Sequence, residues 1–248
     1  MKALRWLAVA VATFEVTAPE RAFAYRPFDG TDADVAAHHE IELEIGTAFL
    51  RNDTARFLSA PALVANYGFL QDWELVVEGH NAVELESSGG GPRLRLEGPG
   101  TFLKSLLRRG SLQGQSGLSV AVETGVLWPS AQESGVGAEL TSIFSQRFTA
   151  ITLHLNVGNE YTRSHTYALF LGTILEGPEA WAVRPVAELF VEREFGERRL
   201  ASGLTESALI GLIWQSRENL SFDIGARAAR GQQSAEELRA GLTWSFEL

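Results

Sequence analysis

Apolar and polar residues alternate one by one along most of this chain. In residues 39–50, Ile41, Leu43, Ile45 and Phe49 fall on one parity, and Glu40, Glu42, Glu44 and Gly46 on the other. Three glutamates at spacing two cannot share a helical face, which needs spacing three or four, but they all project from one side of a strand. Trp73, Leu75 and Val77 alternate with Glu74, Val76 and Glu78. Ile151, Leu153, Leu155 and Val157 alternate with Thr152, His154, Asn156 and Gly158. The last segment sets Leu238, Ala240, Leu242, Trp244, Phe246 and Leu248 against Arg239, Gly241, Thr243, Ser245 and Glu247.

The pattern predicts twelve strands, near 39–50, 61–69, 73–80, 101–108, 117–128, 136–145, 149–161, 166–175, 181–193, 205–215, 219–229 and 237–247. An even number is what a single-chain bacterial barrel has. The segment Phe102–Arg109 is the exception in clarity, because Phe102, Leu103, Leu106 and Leu107 also fit a short helix. The fold expected is all-β: a single antiparallel transmembrane barrel of about twelve strands in an up-and-down meander. In such barrels even-numbered connections face the periplasm and are short. Here Leu70-Gln71-Asp72, Gln146-Arg147-Phe148 and Ser216-Arg217-Glu218 are tight. The outer connections Asn81–Gly100, with Ser87–Pro92, and Glu194–Leu204, with Arg198-Arg199, are long and charged. Connection four, Gly110–Ser116, is longer than this rule expects.

Aromatic placement separates a membrane barrel from a soluble β-sandwich, whose strands alternate in the same way. Trp73, Trp181, Trp214 and Trp244 fall at predicted inner strand ends on the apolar parity. Trp128 falls near an outer end, as do Tyr161 and Tyr167. Two aromatic belts suit the two headgroup levels of a bilayer.

The N-terminus adds an export signal. Lys2 and Arg5 precede the apolar run Trp6–Phe14, and Ala22-Phe23-Ala24 is a small-x-small site, so residues 1–24 read as a signal peptide cleaved before Tyr25. Residues 25–38 are then expected as a periplasmic segment and 39–248 as the barrel in the bacterial outer membrane.

Composition narrows the chemistry. The formal charge is −10, from 21 Lys+Arg and 31 Asp+Glu, which argues against nucleic acid as a partner. With no cysteine there is no disulfide framework, thiolate metal site or cysteine nucleophile. His38 and His39 are adjacent, and neighbours on an extended chain point apart, so they are not read as a metal pair. His80 and His154 have no partner at ligand spacing. Ser164-His165 is the one adjacent pair that would serve a lipid-cleaving barrel enzyme, again with side chains on opposite faces. No catalytic residue, metal or cofactor is assigned.

The inward parity is richly charged. Glu42, Glu44, Glu74, Glu78, Glu123, Glu139, Glu188 and Asp223 share it with Lys104, Arg184, Arg227, His154 and Asn156. Glu40, Glu160, Glu192, Arg108 and Arg239 belong to the same set. Either these charges pair and fill the interior, or they line an acidic path for cations and neutral solutes. We favour a paired interior with at most a narrow path.

The chain ends Gly241-Leu242-Thr243-Trp244-Ser245-Phe246. Gly241, Trp244 and Phe246 resemble the terminal signal read by the barrel-assembly machinery, although Glu247 and Leu248 follow it. Over nearly its mature length the chain resembles the outer-membrane transporters named for the meta-pathway of phenol degradation. The resemblance lies in Arg26-Pro27-Phe28, Thr31-Asp32-Ala33-Asp34 and the Glu-rich first strand. It continues in Asn66-Tyr67-Gly68, Trp73-Glu74-Leu75, Gly117–Trp128 with Pro129, and Gly241–Phe246. Residues 81–116 depart most from that pattern. The resemblance implies passive movement of small, hydrophobic or aromatic molecules across the outer membrane, with lipid as the other partner. A structural or surface-interaction barrel acting through its long loops is the alternative.

Overall fold

The computed structural model describes residues 27–52, 55–85, 94–131, 133–195, 203–231 and 234–248. Twelve strands follow one another: β1 (Glu40–Asn52), β2 (Arg56–Leu70), β3 (Trp73–Glu84), β4 (Leu94–Arg108), β5 (Ser119–Leu127), β6 (Gly137–Arg147), β7 (Thr152–Tyr161), β8 (Tyr167–Glu176), β9 (Val183–Phe195), β10 (Leu204–Arg217), β11 (Leu220–Arg230) and β12 (Ala235–Glu247). Each pairs with the next, and β1 pairs antiparallel with β12, so the sheet closes into a barrel. Along this seam Ile41 lies opposite Phe246 and Leu43 opposite Trp244. Closure leaves no unpaired edge, the condition for placing a sheet in hydrocarbon. Residues 1–24 and the loop residues Ser87–Pro92 and Arg198-Arg199 lie outside the described residues.

The period-two pattern maps onto inside and outside. Ile210, Leu189, Leu238 and Ile224 are exposed on the outer wall, while Lys104, Glu44, Glu74 and Asn156 are buried within. The polarity is therefore inverted relative to a soluble domain, whose apolar side chains would face inward. All six named interface aromatics point outward: Trp73, Trp181, Trp214 and Trp244 towards the end where the two chain termini meet, Trp128 and Tyr161 towards the far end.

The ambiguous segment is a strand, as expected, and one connection has an unexpected form. Phe102 to Arg108 belongs to β4, where Lys104 lies opposite Glu74 and Leu103 opposite Leu75. Phe102, Lys104 and Leu106 point in and Leu107 points out, so the strand period prevails. The over-long connection after β4 contains a short 3₁₀ turn, Ser111–Gln113, that folds across the barrel mouth. Its Leu112 packs inside with Ala33, Ala121 and Ile143. The extra length thus makes an internal plate rather than a larger turn.

The stretch before β1 requires a larger correction. Expected as part of a periplasmic segment at 25–38, residues 27–36 instead run up inside the barrel, while Ala37 and His38 are exposed at its terminal end. At the terminal end the segment passes so close to β2 that a Cβ on Gly68 would lie 2.0 Å from the Ala37 carbonyl oxygen. At mid-height Pro27 rests against Gly211 and Gly225, whose missing side chains leave the room it fills. The physical reason is polar satisfaction: a lumen full of donors and acceptors offers an irregular backbone the partners that it would otherwise find in water.

Candidate functional site: a plugged lumen and the cavity above it

The N-terminal segment has no regular structure, yet wall side chains accept a run of its backbone N–H groups. Glu188 accepts from Asp29 at 2.8 Å and from Gly30 at 2.7 Å. Asn156 takes both sides of Thr31: its Oδ1 accepts the N–H at 3.0 Å and its Nδ2 donates to the carbonyl at 2.8 Å. Ser145 Oγ accepts from Ala33 at 2.9 Å, and Glu74 Oε2 accepts from Ala36. From the plate, Gln113 Nε2 donates to the Ala33 carbonyl and to the Asp34 carboxylate.

Ion pairs reinforce these bonds. Arg239 Nη2 lies 2.6 Å from Asp29 Oδ1, and Arg227 Nε lies 2.8 Å from Asp29 Oδ2, with Glu237 balancing both guanidiniums. Arg239 also donates to the Pro27 carbonyl at 2.8 Å. Lower down, Lys104 is fully buried, its Nζ 3.9 Å from both Asp32 and Glu74 and 3.4 Å from the Thr31 hydroxyl. Asp34, on the segment itself, is pushed up to about 6 by burial, then by the neighbouring Asp32 charge.

Beneath the segment lies a second network. Ser145 Oγ is 2.8 Å from His154 Nδ1, His154 Nε2 is 3.3 Å from Glu176 Oε1, and Arg184 Nε is 3.1 Å from Glu176 Oε2. Serine, histidine and carboxylate stand here in the order of a hydrolytic triad, which no local spacing signals, since Ser145 and His154 meet only through the β6–β7 register. Chemistry is denied to them by access. Ser145 is 0% exposed, its oxygen carries the Ala33 N–H, and the adjoining cavity of about 10 Å³ holds no more than a water. The group is an anchor for the segment. The other proposed pair, Ser164 and His165, is also apart: Ser164 donates to Glu133, and His165 stacks on Tyr161 at 5.6 Å.

The inward candidates therefore divide by height. Lys104, Glu74, His154, Asn156, Arg184, Glu188 and Arg227 hold or neighbour the segment. Glu42, Asp223 and Glu44 are buried in the wall, with Glu42 accepting from Ser245 and Glu44 from Asn66. Glu78, Glu123 and Glu139 line a cavity of about 360 Å³ on the far side of the segment, with Glu44 and Glu74 at its base. Arg108, named with the inward set, is exposed at the terminal rim beyond a bulge at Leu106. His38 and His39, expected to point apart, bring their ring centroids to 3.8 Å because His39 takes a φ of 70°. Among the described residues there is no group of three or more metal-ligating side chains.

A closed ring of twelve antiparallel strands, apolar outside and polar within, defines a membrane-spanning β-barrel of the outer-membrane type. Solved structures of that class share the fold. An outer membrane channel from Pseudomonas putida F1 superposes with a TM-score of 0.64 over 88% of this chain and 100% of its own, at 8% identity. The NanC porin gives 0.60 over 82% and 98% at 8% identity, and the KdgM porin 0.51 over 82% and 99% at 11%. No family model matches the chain. No curated protein matches it either.

Proposed function

We propose that this barrel lies in the bacterial outer membrane and lets small molecules cross passively. The observation that carries the reading is the polar lumen: a closed barrel with a cavity of about 360 Å³ inside it and an apolar skin outside. The solved structures of like fold described as channels and porins support the same direction, as does the resemblance to the transporters of the phenol meta-pathway. That resemblance adds small hydrophobic or aromatic molecules as the cargo class. Residues 1–24 would direct export, and Gly241, Trp244 and Phe246 would engage the assembly machinery. The terminal end would then face the periplasm and the cavity the outside.

The test is reconstitution of the mature protein into liposomes, with solute swelling and single-channel current as readouts. Permeability above that of empty liposomes for at least one class of small solute is expected, and none for any class would remove the reading. Membrane fractionation with heat-modifiable gel migration checks location. A protein recovered in the soluble periplasmic fraction would remove the membrane assignment itself.

A further inference from the structure

The cavity beyond the N-terminal segment mixes two kinds of lining. Phe28, Phe102, Phe170, Val64 and Val76 give it apolar surface. Glu78, Glu123 and Glu139, on β3, β5 and β6, give it carboxylates, and Phe102 of β4 stands between the first two. Among the described residues, none of these three carboxylates has an ion-pair partner within 4 Å, and the one hydrogen bond any of them receives is from Thr141 to Glu139. At the base, Glu74 is 1% exposed. It commits Oε2 to the Ala36 N–H and leaves Oε1 without a hydrogen bond, 3.9 Å from Lys104.

Several other deep carboxylates around the segment are matched by cations. Asp29 has two arginines, Glu176 has Arg184 and His154, and Asp32 has Lys104. Carboxylates withdrawn from bulk water with no cation in contact raise the free energy of the empty site, and a bound cation relieves it. Aromatic rings set among them suit a cation that carries an apolar body, since ring faces attract positive charge as well as apolar surface. A volume of about 360 Å³ is at the lower end of small-molecule sites.

We propose that this cavity is a binding site for small organic cations, amines bearing an aromatic or branched apolar group, with the ammonium held by Glu78, Glu123 and Glu139 and the apolar body by the Phe102 and Phe170 rings set among them. The proposal deepens the channel reading by naming a class of cargo. A neutral hydrophobic molecule gains from the apolar lining alone, and an inorganic cation from the carboxylates alone.

The mature protein in a neutral detergent is titrated by calorimetry with phenethylammonium, with 2-phenylethanol as the uncharged counterpart, and with calcium chloride as competitor. The ammonium should bind saturably and about tenfold more tightly than the alcohol, a difference of about 1.4 kcal/mol. Calcium should not displace it. Glu78→Gln and Glu123→Gln should each weaken the ammonium several-fold, and Glu133→Gln, in a far-end loop, should leave it unchanged. Equal affinity for ammonium and alcohol, absence of saturable binding, or displacement by calcium would overturn the site. Should the glutamine variants fail the heat-modifiable folding check, the two probes on the unaltered protein still decide. Solute swelling without cation preference would remove the site and leave the channel; cation binding without any swelling would do the reverse.

Discussion

Around and below the N-terminal segment, several buried carboxylates are met by cations; above it, three carboxylates line open space with no ion-pair partner within 4 Å among the described residues. Lys104 stands between Asp32 and Glu74, and Glu176 between His154 and Arg184. A few residues higher, Glu78, Glu123 and Glu139 line open space. Both regions are built by the same alternation on the same strands. The difference lies in what fills them: the lower one already contains its ligand, a piece of the same chain, whereas the upper one is lined for something that arrives from outside. Fixed charge in a lumen thus takes either of two roles, structural glue or recognition surface, according to whether a partner is covalently supplied.

The sharpest way to break the comparison is to delete residues 27–36. Without the segment, the lower half should come to resemble the upper, and single-channel conductance should rise several-fold in planar bilayers. Unchanged conductance would mean that the segment is not the obstacle. Next in size is Lys104→Met, which leaves Asp32 and Glu74 buried without their cation. A loss of about 3 kcal/mol is expected from urea unfolding in lipid vesicles. The matching change above, Glu123→Gln, removes a charge with no ion-pair partner and should leave stability within about 0.5 kcal/mol or raise it. Losses of equal size from both would erase the distinction between the halves. A smaller effect is expected of Ser145→Ala, which removes one acceptor from the Ala33 N–H and should cost about 1 kcal/mol, read as a rise in open-channel events.

The smallest effect concerns pH. Asp34 ionises near 6 in place, above its ordinary value of 3.8. A raised value means that docking is fully favoured below about 4 and loses that contribution as pH rises through 6. The segment should therefore hold more firmly at pH 4 than at pH 7. Asp34→Asn should flatten that part of the profile, which channel-opening frequency against pH would record.

The barrel itself was legible because its signal is local. Glu40, Glu42 and Glu44 at spacing two, and the alternation through Leu238–Leu248, each fix a strand and its two faces without reference to the rest of the chain. β4 was ambiguous because Phe102, Leu103, Leu106 and Leu107 place large apolar residues on both parities, and only pairing with β3 and β5 decides between strand and helix. The docked segment was illegible for the opposite reason. Pro27–Asp34 has no period, and its contacts reach as far as 212 residues ahead, to Ser145, Asn156, Glu188 and Arg239. One hint was present in the sequence: Asn156, His154 and Lys104 are side chains rich in hydrogen-bonding capacity, placed where a wide water-filled channel would not require them. The division of the inward charges into matched and unmatched sets was equally hidden, since parity gives direction but not neighbour.

The segment that fills the lower lumen is fastened to β1 by the residues between its last hydrogen bond to a wall side chain, at Ala36, and the strand start at Glu40. Seen as a ligand, it never leaves the vicinity of its receptor. Short linkers of this kind correspond to effective concentrations in the millimolar range. A soluble peptide with the sequence of residues 27–36 would therefore have to reach comparable concentration to compete with it, even if it bound equally well. Opening in the intact protein is then governed by how fast the tethered piece leaves and returns, whatever the amount of protein in the membrane, and each barrel keeps its own clock.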